Sequence, residues 1–83
     1  MKITLKLFAT LGDLLPDEAV ENAIEIDVPD SATPHEIIDR FNVPRSMAHL
    51  ILHNGVYVGP AQRDRSMFKP GDVLAVWPPV AGG

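Results

Sequence analysis

Two stretches alternate apolar and polar residues with the period of a β-strand: KITLKLF at 2–8 and IEIDV at 24–28. Period-two alternation means one buried face and one open face of a sheet. In the first stretch Ile3, Leu5 and Leu7 point inward, while Lys2, Thr4, Lys6 and Phe8 point outward. Phe8 is thus an aromatic ring on the polar side. In the second, Ile24, Ile26 and Val28 point inward, and Glu25 and Asp27 outward. A chain that opens this way must build a sheet and then find a cover for its apolar face.

The cover is read in DSATPHEIIDRFNVP, residues 30–44. Thr33 suits a helix N-cap, and Pro34 suits the first helical position, where a missing N–H costs nothing. Glu36 follows Thr33 by three residues and completes a capping-box pattern. Ile37, Ile38 and Phe41 make the apolar stripe, Asn42 suits the helix end, and Pro44 prevents continuation. Between the two strands, Ala9–Leu15 suits a short helical turn stopped by Pro16. The stretch from Asp13 through Asp17, Glu18, Glu21 and Glu25 to Asp27 is acidic. It is a solvated connector or a docking patch for a basic partner.

Asn54-Gly55 within LILHNGVYV, residues 50–58, predicts a tight hairpin turn. Lys69-Pro70-Gly71-Asp72 predicts another turn, followed by a last strand, VLAVW at 73–77. The order is strand, strand, helix, hairpin, strand. It predicts an α+β domain with one main helix packed on a mixed sheet. First and last strands side by side at the sheet centre would bury Ile3, Leu5, Leu7, Leu74 and Val76. The body is expected to span 1–77 and an extended tail 78–83.

Composition excludes several functions. Eighty-three residues make one domain, and there is no cysteine. That removes a disulfide framework, a thiolate metal site and a cysteine nucleophile. A net charge of −4 does not suit a nucleic-acid binder. Lys6 breaks the apolar opening, so it reads as a strand rather than a signal peptide, and no run reaches membrane-span length. A cytoplasmic protein without membrane or nucleic-acid partners is expected. His49 and His53 lie four apart, but His53 falls on an expected strand and there is no third ligand, so no metal site is assigned. Gly55, Gly59 and Gly71 form no phosphate loop, and Ser31, Ser46 and Ser66 lack a nucleophile elbow. Arg63, Asp64, Arg65 and Lys69 read as a mixed-charge loop, either solvated surface or a recognition surface. No catalytic set is visible, and no bound cofactor is expected.

The end of the chain, VWPPVAGG at 76–83, is unusual. Pro78-Pro79 cannot extend a strand ladder, and they stiffen the start of the tail. Six residues reach about 20 Å when extended. Gly82 and Gly83 make a thread that passes where a Cβ would not. Its terminal carboxylate is ionised at neutral pH and can attack phosphorus. Once adenylated by ATP, it becomes an acyl electrophile open to sulfur or nitrogen.

With these residues the chain resembles the MoaD/ThiS ubiquitin-like sulfur carriers, which have a β-grasp fold. Trp77, Pro78, Pro79, Val80, Ala81, Gly82 and Gly83 match the tail pattern of the molybdopterin synthase small subunit. KLFATLGDLL at 6–15 is similar to that family's first strand and following helix. The resemblance implies an E1-like enzyme that adenylates Gly83 using ATP, and a sulfur donor protein that displaces AMP to leave a thiocarboxylate. It also implies a molybdopterin synthase large subunit, in a heterotetramer, that takes the sulfur for molybdenum cofactor synthesis. Catalytic side chains would lie on those partners. The segment LHNGVYVGPAQRDRSMFKPGD at 52–72 matches the thiamin-branch carriers about equally well. Carriage for thiazole or cysteine synthesis, or covalent protein modification, therefore stays open. Val73, Ala75 and Trp77 face outward if Leu74 and Val76 face the core. Phe8 then joins them in a strip for partner docking beside the tail, unless Trp77 folds back over the end of the core.

Overall fold

The computed structural model describes residues 1–80; Ala81, Gly82 and Gly83 lie outside the described residues. The strands are β1 (Lys2–Leu7), β2 (Ala23–Asp27), β3 (Leu50–His53), β4 (Val56–Tyr57) and β5 (Val73–Trp77), with one α-helix, α1 (Pro34–Arg40). They form a single sheet in the order β2-β1-β5-β3-β4. β1 and β5 run parallel, with Leu5 opposite Leu74 and Leu7 opposite Val76. The other pairings are antiparallel. Short 3₁₀ turns occupy Ala9–Leu14, Arg45–Met47 and Pro60–Gln62. The first comes after β1, as the sequence indicates, and ends before Pro16.

The inward residues of the central pair, Ile3, Leu5, Leu7, Leu74 and Val76, are fully buried with Ile51 of β3. Ile37 and Ile38 of α1 are buried in the same core. Truncating any of these large side chains to Ala removes about 2–5 kcal/mol in a typical core. Phe41 only packs partly against the core. The helix starts as expected: Thr33 Oγ1 accepts from the Glu36 N–H at 3.2 Å. It ends on Asn42, in the left-handed region at φ 61°. Val43 N–H then donates to the Ile38 carbonyl and Asn42 N–H to that of Asp39. These two bonds are the Schellman pattern, and buried Val43 supplies its apolar contact.

Asn54 and Gly55 both take positive φ, 50° and 83°, as a type I′ hairpin turn requires. Gly71 takes φ 87°, which fits the third position of a type II turn after Pro70. These two turns meet. Asp72 accepts from Asn54 Nδ2 at 3.0 Å and from the Lys69 N–H at 2.9 Å, and it bonds His53 Nε2 at 2.6 Å. Asn54 Oδ1 in turn accepts from the Val73 N–H at 2.8 Å. The network ties the β3–β4 hairpin to the start of β5. Hydrogen bonds from Asn54, His53 and Lys69 hold the Asp72 carboxyl down at about 2.

Arg63 departs from the sequence expectation. The charge pattern places this loop on the surface, yet Arg63 is only 7% exposed. Its guanidinium donates to the carbonyls of Val58 (3.1 Å), Ala48 (3.0 Å) and His49 (3.2 Å). Its own carbonyl accepts from the His35 N–H at 2.9 Å. The planar fork thus joins the end of β4 to the approach to β3, and the Arg63 carbonyl adds the first turn of α1. Asp64 turns to His35 Nδ1 at 2.8 Å.

These polar ties give two expected outcomes. Arg63→Met should lower stability by about 2–4 kcal/mol, because buried carbonyls lose their donors. Arg63→Lys should recover only part, since an ammonium does not match the planar fork. Urea denaturation reads both, and an unchanged midpoint for the Met variant would mean that water serves those carbonyls. For Asp72 the folded pKa lies below the unfolded value. Its stabilisation is therefore complete above about pH 4 and is lost as pH falls towards 2. Asp72→Asn should flatten that acid limb of the stability–pH curve.

Candidate functional site: the outer sheet face and the root of the tail

The register of the strands defines the outer face of the sheet. Lys6, Ala75, Leu52 and Tyr57 form one row across β1, β5, β3 and β4. In the next row Trp77 lies opposite Leu50. Phe8 joins that row because its N–H donates to the Val76 carbonyl at 3.1 Å. The Phe8 and Trp77 rings stack with centroids 4.3 Å apart and planes 7° from parallel. Both rings are half-buried and lie outside the core cluster. Trp77 therefore does not fold back over the end of the core. It stands on the outer face, as the alternation of β5 requires.

The stack sits where β5 ends. The Trp77 carbonyl still accepts from the His49 N–H at 3.0 Å. Pro78 is buried, and Pro79 and Val80 are exposed, Val80 at 79%. The sequence boundary puts Pro78 in the tail and among the partner-binding residues. In the isolated chain Pro78 is buried. Pro79 and Val80 remain free for contact. The expected contacts at Ala81, Gly82 and Gly83 lie outside the described residues.

Elsewhere two of the three histidines have structural partners. His53 is engaged by Asp72 and His35 by Asp64, while His49 is exposed. Among the described residues no three His, Cys, Asp or Glu side chains come together to hold a metal. Asp13, Asp17, Glu18, Glu21, Glu25 and Asp27 are all exposed. Among the described residues no helix is long and apolar enough to cross a membrane. Sequence reasoning missed the Arg63 fork and the Asp72 network. The turn residues were legible, but not that two turns would meet.

A five-stranded mixed sheet with first and last strands parallel at its centre, one main helix across it, and an exit at the end of the last strand defines a ubiquitin-like β-grasp protein. The chain belongs to the ThiS family, whose model matches residues 4–83. A molybdopterin synthase sulfur carrier subunit from Drosophila sechellia is 41% identical over 63 residues, covering 70% of this chain and 69% of that protein. Small archaeal modifier protein 1 from Haloferax volcanii shares the fold at TM-score 0.65 and 22% identity, over 95% of this chain and 98% of that one. Subunits 1 and 2 of the molybdopterin-converting factor from Helicobacter pylori form a protein–protein complex, and one of its chains aligns at TM-score 0.57 and 18% identity, over the full length of both chains.

Because both rings stand outside the core, Phe8→Asp should leave the isolated domain folded. Its thermal unfolding should stay cooperative, with a loss of about 0.5–1.5 kcal/mol from the broken stack. A melted domain at 25 °C, seen by circular dichroism, would make Phe8 a core residue.

Proposed function

We propose that this chain is a sulfur carrier that serves molybdopterin synthase as its small subunit. The observation that carries the reading is the identity to curated sulfur carrier subunits, supported by a family match that runs through residue 83. The Gly83 carboxylate attacks the α-phosphorus of ATP on an E1-like partner and releases pyrophosphate. A donor protein then supplies sulfur at the hydrosulfide level. Its sulfur attacks the acyl carbon, AMP leaves with the original carboxylate oxygen, and Gly83 ends as a thiocarboxylate. The chain binds no cofactor of its own, and ATP belongs to the adenylating partner. A cytoplasmic carrier is part of this reading, and ATP is available there to the adenylating partner.

The large subunit receives the tail and supplies the catalytic side chains. The Phe8–Trp77 face, with Pro79 and Val80, guides that docking: stacked rings next to the tail's root offer apolar area beside the reacting terminus. The Helicobacter pylori complex of subunits 1 and 2 supports such a partner by shared fold. A second reading, covalent attachment to a partner lysine, draws on the fold shared with an archaeal modifier and is a fold-level analogy.

Incubation with ATP, a sulfur donor and the adenylating enzyme should raise the intact mass by the sulfur-minus-oxygen difference, located at Gly83. A conjugate ladder on a denaturing gel without that gain would select the modifier reading. No change with active enzyme would sink both. Phe8→Asp should weaken large-subunit binding at least tenfold while the mass gain persists.

A further inference from the structure

β4 is an edge strand, and its outer side is not closed. Val58 N–H donates to the Ile51 carbonyl, so the Ile51–Val58 and His53–Val56 pairs carry the ladder bonds. The intervening Leu52–Tyr57 pair does not. Tyr57 N–H and C=O therefore face away from β3. Among the described residues no other group bonds them. Val56, Tyr57 and Val58 also line a cleft of about 280 Å³, which they share with His53, Gln62, Arg65, Ser66 and Met67. Val56 is 68% and Tyr57 54% exposed.

Charge selects what the cleft can take. Arg65 is exposed on its rim. Among the described residues it has no ion-pair partner. Its neighbour Asp64 is bonded to His35, and Asp72, beside His53, is engaged by Asn54, His53 and Lys69. An uncompensated cation on a chain of net charge −4 favours an anionic guest over a second copy of this chain. The chain's own tail leaves from the far end of β5, about 13 Å along the strand from this corner.

We propose that the β4 cleft is a second docking site. It takes an extended acidic peptide of a partner, which pairs with the Tyr57 backbone and sets a carboxylate on Arg65. Edge pairing supplies the alignment, exposed Val56 and the Met67 side supply apolar contact, and Arg65 supplies selectivity. Its position lets a partner bind while the tail and the Phe8–Trp77 face are occupied.

The test is an amide chemical-shift titration of the full chain with a blocked peptide of alternating valine and glutamate, with a valine–glutamine peptide as control. Saturable shifts should centre on Tyr57, Arg65 and Met67. The control peptide and the Arg65→Gln variant should each bind about tenfold more weakly. Removing Gly82 and Gly83 should change nothing, which separates this site from the carrier function. Absence of saturable shifts, shifts centred on Trp77, or equal affinity for the two peptides would overturn the proposal.

Discussion

The parallel pairing of β1 with β5 is the constraint on which the rest depends. It joins residues about seventy positions apart, so its loop-closure entropy is offset only by the core that the pairing completes. Once closed, it buries Leu5 against Leu74 and Leu7 against Val76 at the sheet centre. It also places the end of the chain beside the end of the first strand. Phe8 can stack on Trp77 only because these strands are neighbours. The docking face and the root of the tail are thus by-products of the central pairing.

Around this pair, polar groups do the joining that a small core cannot. Arg63 serves three carbonyls from two segments, and Asp72 binds two turns together. Each arrangement gives buried or half-buried polar atoms their hydrogen-bond partners. The result is a polar tie at each end of β3, with the Phe8–Trp77 stack on the outer face of the sheet. A carrier needs both: a body that holds its shape in successive complexes, and a terminus that leaves it without side chains to obstruct entry.

Much of the frame was legible in the chain. Alternation at 2–8 and 24–28 marked two strands and the correct inward faces. Thr33, Pro34 and Asn42 marked the helix and its ends, because capping chemistry is local. Asn54-Gly55 and Gly71 marked turns, because few residues accept positive φ. Even the outward position of Phe8 and Trp77 could be read from strand period. The ring stack could not, because it depends on which strands become neighbours.

Sequence alone determined the elements, their inward faces, the hairpin turns and the glycine-thin terminus, since each rests on interactions within a few residues. Only the tertiary structure decided that Arg63 and Pro78 are buried, that Asp72 bridges two turns, and that β4 is left with an open edge. The physical reason is the same in each case. A charged or cyclic side chain carries no local signal of its distant partner. Its burial is settled by which carbonyls, carboxylates and strand ends the closed sheet happens to bring within hydrogen-bonding or packing distance.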